Sequence, residues 1–474
     1  MKKQIKLFLA FCLISGLWLN AQYKQWTLQE CVDLAIEKNI TIKQNKLDYA
    51  NAQINKQEAI ANFFPNLNAN TSHSWNIGLN QNITTGLLEN ITTQFSSAGV
   101  NLGLNIYSGL QNVKQLHRAN LSILARQYQL ADITEDISLL VANSYLQIMF
   151  NREILSVQKA QLDVSKKELD RTKTLIEAGI LTAGDVFEIE ATIASQEQAV
   201  VQAENILRLT KINLAQLLLI TDYENFDIAF EQLDVPFSQI NGKSPKSIFE
   251  KALTFRNDIK LAVTNLEIAE TDLELAKGAL QPSLVAFYGY STRISYSDRL
   301  SGTGEFSTVP IGYVEGTGEI VNGRFEQREV IGPVPIADQL GLNDGHNFGL
   351  QLNIPIFNSF RAKNNVKRSI INIERSKNLL EQQKLDLEAN INQAYNDTNG
   401  AYTFYEAAMK TTQARYDAFD DAQQRYSAGI MNSFEYTQIK QRYEASVSDE
   451  VRAKYDYIFK LKVLEFYFGI PLNI

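Results

Sequence analysis

Two stretches of the chain repeat one another at a fixed distance, and this repetition restricts the fold more than any other feature of the 474 residues. Ala35, Ile42, Lys43, Ala52, Ala59, Pro65 and Leu67 return 217 positions later as Ala252, Ile259, Lys260, Ala269, Ala276, Pro282 and Leu284. Further along the offset is 250. It pairs Leu102 with Leu352, Ile106 with Ile356, Tyr107 with Phe357, Tyr145 with Tyr395, Leu214 with Leu464, Ile220 with Ile470, and Ala178-Gly179-Ile180 with Ala428-Gly429-Ile430. The difference of 33 places an insertion between Pro282 and Ile356. Two copies of one unit predict a pseudo-symmetric shell around an axis, not a pocket built from unlike parts.

Each copy reads as helix, two strands, long helix, tight break, helix. After Gly184, the residues Val186, Ile189, Ile193, Gln196, Val200, Ala203, Leu207, Thr210, Leu214 and Leu217 recur at spacings of three and four, the seam of a helix that packs lengthwise on its neighbours. Residues 108–178 contain no proline and no glycine beyond Gly109. As one helix they would span about 105 Å at 1.5 Å per residue. Residues 358–428 match them, with Gly400 the one glycine, so the expected molecule carries two long rods.

Strands argue against a plain coiled coil. From Asn66 to Leu79, Asn and Ser alternate with Leu, Ala, Trp and Ile; Ala98, Val100, Leu102, Leu104 and Ile106 alternate with small polar residues, as do Phe348, Leu350, Leu352 and Ile354. Alternation of this length suits a membrane barrel, lipid outside and water inside, although a soluble sandwich shows the same pattern. Four strands cannot close a barrel, and open edges cannot sit in lipid. A membrane location therefore requires oligomers, and three chains giving twelve strands is the smallest cyclic solution with a useful lumen.

The expected organisation is a signal peptide at 1–21, a first repeat at 22–220 with strands 66–79 and 97–107 and a hairpin tip near Gly179, a connector at 221–247, and a second repeat at 248–474 with strands 283–294 and 347–357 and a tip near Gly429. Residues 79–97 and 296–346 read as loops. Three lysines before Lys6 is passed, the apolar run Leu7–Leu19 and Ala21 form a secretory signal, too short to span a bilayer. Cys12 lies within it, which leaves Cys31 alone and excludes an intrachain disulfide after processing. The formal charge of −8 falls to −11 once the three signal lysines are removed, and no basic patch points to nucleic acid.

No enzymatic constellation is present in the sequence. His73, His117 and His346 have no metal-ligand spacing, and the four methionines form no cluster, so neither a metal nor a cofactor is expected.

The duplication, the strand ending Leu352-Asn353-Ile354-Pro355-Ile356-Phe357-Asn358, and the breaks Leu175-Ile176-Glu177-Ala178-Gly179-Ile180 and Arg425-Tyr426-Ser427-Ala428-Gly429-Ile430 resemble the TolC family of outer-membrane efflux proteins. The resemblance spans about Trp26 to Ile470. It implies a mainly α fold with membrane β: a homotrimer with a 12-stranded β-barrel in outer-membrane lipid and a long coiled-coil α-helical barrel crossing the periplasm of a Gram-negative bacterium. It also implies a periplasmic adaptor and an inner-membrane pump of the RND or ABC type as partners. The expected function is the exit duct of a tripartite efflux system for small molecules. Type I protein secretion on the same fold, or a soluble periplasmic adaptor or scaffold, stand as alternatives.

In that family's pattern, carboxylates six and nine positions after the second tip glycine line the entrance, and a tyrosine three before it holds the tips together. Here these positions are Glu435, Gln438 and Tyr426, with Asp185 and Glu188 in the first copy. Gln438 is neutral, and Met431 stands where some relatives carry a basic residue. The resemblance assigns adaptor contact to Gly179, Ile180, Leu181, Gly429, Ile430 and Met431. Asp185 and Glu435 also suit the first turn of a helix, where a carboxylate complements the dipole.

Overall fold

A computed structural model describes residues 24–82, 85–179, 182–230, 240 and 242–470. The signal peptide, Ile180, Leu181, residues 231–239 and 241 of the connector, and the side chain of Asp185 lie outside the described residues. In chain order the elements are β1 (Gln25–Trp26), α1 (Leu28–Lys38), α2 (Ile40–Ala61), β2 (Asn66–Gln81), β3 (Leu88–Ser108), α3 (Gln111–Glu177), α4 (Gly184–Leu217), β4 (Asp227–Ile228), α5 (Pro245–Phe255), α6 (Asn257–Gly278), β5 (Ser283–Ser295), β6 (Arg299–Tyr313), β7 (Ile320–Ile331), α7 (Ile336–Leu342), β8 (Gly345–Asn353), α8 (Arg361–Ser427) and α9 (Ser433–Phe468). Two compact units emerge, each drawing on both copies: one runs to Gln53 and takes in Leu121–Ile268 and the chain from Ile373, the other comprises Ile54–Asn120 and Ala269–Asn372.

The second unit holds an antiparallel sheet in the order β2-β3-β5-β8. Residues directly opposite one another share a face. The register lines up Leu67, Leu102, Tyr288 and Phe348 in one row, with Leu104, Ala286 and Leu350 in the next row of that face. The opposite face carries Asn68, Asn101, Gly289 and Asn347, then Asn70, Gly99, Ser291 and Gly345. Leu67, Phe348 and Leu350 are about two-thirds or more exposed, so the edge strands leave this part of the apolar face open among the described residues. Among the described residues no helix is long and apolar enough to cross a membrane.

Several expected boundaries shift. Most of residues 79–97 are strand, not loop: β3 begins at Leu88 and pairs with β2 from there to Gly103, and before it the Gly86 amide bonds the Asn82 carbonyl at 2.7 Å. Residues 296–346 carry the β6–β7 hairpin and α7. Gln339 of α7 uses its side-chain amide like a backbone unit, donating to Ser295 O at 2.9 Å and accepting from Ser295 N at 2.8 Å, which caps the end of β5. The last strand runs 345–353, not 347–357, and stops before Pro355, which has no N–H for a ladder.

The duplication persists in the backbone itself. Among the described residues, four other than glycine have positive φ: Leu110, Leu219, Ser359 and Phe360. Shifted by 250, Leu110 meets Phe360, Gly109 (φ 64°) meets Ser359 (φ 56°), and Leu219 (φ 56°) meets Gly469 (φ 79°). The first two pairs form the strand-to-rod corner. There Gly109 lies against Gly278, whose Cβ, were it present, would sit 2.6 Å from the Gly109 carbonyl oxygen. The third pair ends α4 and α9 in the same way, with Ile220 N on Ala215 O at 2.8 Å and Ile470 N on Glu465 O at 3.0 Å, satisfying carbonyls that a helix end would leave bare.

In the first unit two matching cores form. One gathers Cys31, Ala35, Val141, Tyr145, Leu214 and Leu218; the other gathers Ile248, Ala252, Ile391, Leu461 and Leu464. Burial pushes the Cys31 thiol up to about 12, as suits a packing residue. The expected seam of α4 faces inward, with Ile189, Gln196, Val200, Ala203 and Leu214 buried. Of the connector, β4 pairs in parallel with β1, and Asp227 accepts from Arg152 of α3 and Lys211 of α4.

The copies diverge at one corner. Asn39 (φ −54°, ψ 132°) and Arg256 (φ −56°, ψ 129°) have the same backbone between paired short helices. Asn39 caps Thr41 N at 2.8 Å, whereas the buried Arg256 guanidinium meets Asp258 at 3.0 Å, Asp132 at 3.7 Å and Glu135 at 3.8 Å. Burial, with Asp136 and Asp258 nearby, raises the Asp132 carboxyl to about 6 despite Arg256.

Two outcomes are expected. Leu102→Arg, on the apolar face, should cost about 2–4 kcal/mol if that face meets hydrocarbon, while Asn101→Arg on the other face should not; yields of assembled protein in outer membranes check this. A carboxyl raised in the folded state favours folding below its ordinary pKa, and that contribution is lost as pH rises through the folded value. The wild type should therefore gain stability between pH 6 and about 4 from this group, and Asp132→Asn should be more stable at pH 8 and lack that gain in thermal melts.

Candidate entrance at the hairpin tips

Both tips lie in the first unit and both turn on a left-handed glycine, Gly179 at φ 74° and Gly429 at φ 75°. The Gly179 amide reaches Ile176 O at 2.9 Å and the Gly429 amide Tyr426 O at 3.0 Å. An L side chain at either position would force a conformation that glycine adopts freely. The two restarts differ. Asn432 caps α9, its side-chain oxygen accepting from Glu435 N at 2.8 Å, whereas Ala183 offers α4 no side-chain cap.

Glu435 and Gln438 are both exposed, three residues apart on one face of α9. Glu188 is exposed on α4. Tyr426 is not at the surface: it is 8% exposed and lies flat on Tyr436, ring centroids 4.6 Å apart and planes within 7°. Its hydroxyl is buried without a hydrogen-bond partner among the described residues. Met431 is half-buried and packs on the cluster of Ala422, Tyr426 and Tyr436, while Ile430 is 78% exposed. Gly179 and Gly429 are exposed.

Other residues at this end escaped the sequence reading. Phe187 and Phe434 are both largely exposed near the tips. Phe434 stands two residues after the capping Asn432, in the first turn of α9, and an aromatic residue so close to a helix start was the available signal. Behind the tip, Phe419, Tyr436 and Tyr443 continue the stack begun by Tyr426, with Phe419 and Tyr443 parallel at 5.2 Å. Burial pushes the Tyr436 hydroxyl upward, and Glu168 adds to the effect. No group of acidic, His or Cys side chains among the described residues has the arrangement of a metal site.

A four-stranded sheet with one apolar and one polar face, in one duplicated chain with paired long helices, defines the class: a mixed α and β protein whose sheet suits a membrane barrel. The chain belongs to the outer membrane efflux protein family, which it matches over residues 31–218 and 248–469. It is 24% identical over 309 residues to OpmQ, the pyoverdine export outer membrane protein of Pseudomonas aeruginosa; the match covers 65% of this chain and 56% of that protein, little more than half its length. Its fold is similar to that of CusC (TM-score 0.74, 17% identity, 96% of each chain covered). It is also similar to that of VceC from Vibrio cholerae (TM-score 0.72, 13% identity, 94% of this chain and 97% of that one).

The cap on α9 yields a direct expectation. Asn432→Ala should cost about 1 kcal/mol, and Asn432→Asp should retain most of the stability, as read from thermal unfolding.

Proposed function

We propose that three copies of the chain form a passive exit duct, not an enzyme, through which small molecules pass from an inner-membrane RND or ABC-type pump and a periplasmic adaptor to the outside. The observation that carries this reading is the four-stranded sheet: among the described residues β2 and β8 are both unpaired on their outer sides, and Leu67, Phe348, Leu350 and Leu352 of these edge strands are exposed. In lipid those edges must find partners. Identical neighbours on both sides supply them and close the barrel with the Asn- and Gly-rich face inside. Export of pyoverdine by OpmQ supports a small-molecule cargo.

At the inner end, three copies of Glu435 form an acidic ring, with Gln438 one turn deeper and Asp185 and Glu188 contributed by the other hairpin. Such rings favour cations over anions. Tyr426 acts within its own hairpin, holding the tip to α9. The adaptor docks on the tips Gly179-Ile180-Leu181 and Gly429-Ile430-Met431, and the exposed Ile430, Phe187 and Phe434 supply apolar anchors.

Detergent-solubilised protein should have the mass of a trimer and give discrete conductance steps in planar bilayers. A monomer without conductance would sink the duct reading. Glu435→Ala should lower cation selectivity; unchanged selectivity with only a small loss of stability would reduce Glu435 to a helix-dipole partner.

A further inference from the structure

A cleft of about 490 Å³ opens between α3, α4 and α9 in the first unit, within the size range of small-molecule sites. Leu146 and Tyr455 of its lining are more than nine-tenths buried, and Phe150 packs edge-on against Tyr455 with ring centroids 5.8 Å apart. Phe459 adds a third aromatic ring, and Asn143, Arg452 and Asp456 bring polar groups to the same cleft.

Two of these polar groups are unmet, one as an acceptor and one as a donor. The Asn143 side-chain oxygen is buried without a hydrogen-bond partner among the described residues, so it has lost water and gained no donor. Arg452 is exposed and has no ion pair among the described residues; the carboxylate beside it does not neutralise it, because Asp456 is engaged by Lys460 at 3.0 Å. The duplication shows that the shared fold does not dictate this arrangement. At positions 250 residues away, Phe150 is matched by Gly400, Tyr455 by Asn205, Phe459 by Leu209 and Arg452 by Gln202. A feature that the rods themselves required would recur in both copies, as the tip glycines do. Aromatic walls with an unmet acceptor at depth and an unmet cation at the rim suit an amphiphilic molecule better than water.

We propose that this cleft binds a small aromatic carboxylate that also carries a hydroxyl or N–H group. Its ring lies against Phe150, Tyr455 and Phe459. The hydroxyl donates to Asn143 Oδ1, and the carboxylate meets the Arg452 guanidinium in a charge-assisted pair. A hydrocarbon would leave both polar groups unmet, and an aromatic cation would face Arg452. The site goes beyond the duct reading, because binding here needs no conduction.

The test titrates the assembled protein in detergent with 6-hydroxy-2-naphthoate, 2-naphthoate and 2-naphthol by calorimetry, with empty micelles as the baseline. The hydroxy acid should bind saturably, and each probe lacking one group should bind about tenfold more weakly. Arg452→Gln should weaken both acids about tenfold and leave 2-naphthol unchanged. Asn143→Leu should bring 6-hydroxy-2-naphthoate down to the affinity of 2-naphthoate, which itself should not change. Uptake no greater than that of empty micelles would overturn the site, with the cleft then filled by a neighbouring copy in the assembly. So would saturable binding that Arg452→Gln leaves intact, since the probes would then sit elsewhere. Should Asn143→Leu not assemble, the wild type decides that contact alone: equal affinity for 6-hydroxy-2-naphthoate and 2-naphthoate would overturn it.

Discussion

Everything in this chain depends on the open edges of its sheet. Along the 16 residues of β2 and the nine of β8, alternate residues point backbone donors and acceptors outward, with no strand beside them among the described residues. In water such edges invite uncontrolled pairing; in hydrocarbon each unmet group is prohibitive. An outer-membrane protein with four strands must therefore complete its ladder with other chains. The duplication serves that need, because a strand pair from each copy placed side by side makes one module that a rotation axis multiplies.

Much of this was legible in advance because the relevant signals are local. Alternation in β2, β3 and β8 reports face and environment, and the seam from Val186 to Leu217 reports which side of α4 is covered. The tip glycines mark themselves by sequence, since only glycine adopts φ near 75° freely, and the structure has that conformation at both. Harder to see were segments whose order comes from partners distant in sequence. Residues 79–97 look like a loop because Asn82 and Gly86 punctuate them, yet pairing with β2 carries β3 back to Leu88. Within 296–346, α7 docks through Gln339 on β5, an interaction that leaves no periodic trace.

The site was legible only as positions. Sequence placed Glu435 and Gln438 beyond the tip, and they share an exposed face. It gave no indication that Tyr426 would turn inward onto Tyr436, because stacking depends on the rotation of α8 against α9 and not on spacing along either. Equally hidden were the buried Lys440 of α9, which donates to Ser165 at 2.9 Å, and its partner Glu168 of α3 at 2.6 Å. Their sequence separation of 272 leaves no pattern, and a lysine on a polar helix is ordinarily solvated.

That a lysine occupies such a position is itself informative about energetics. A buried ion pair is weak evidence for stability, since apolar residues of similar volume commonly do as well or better, so its retention has to be explained by what it specifies. Close to the tip, an apolar interface would let the two hairpins settle in several registers, because apolar contacts are not directional. A lysine that must meet Glu168 and Ser165 permits one. The same pair carries a strong penalty for half-separation, when each charge has left its partner but not yet reached water.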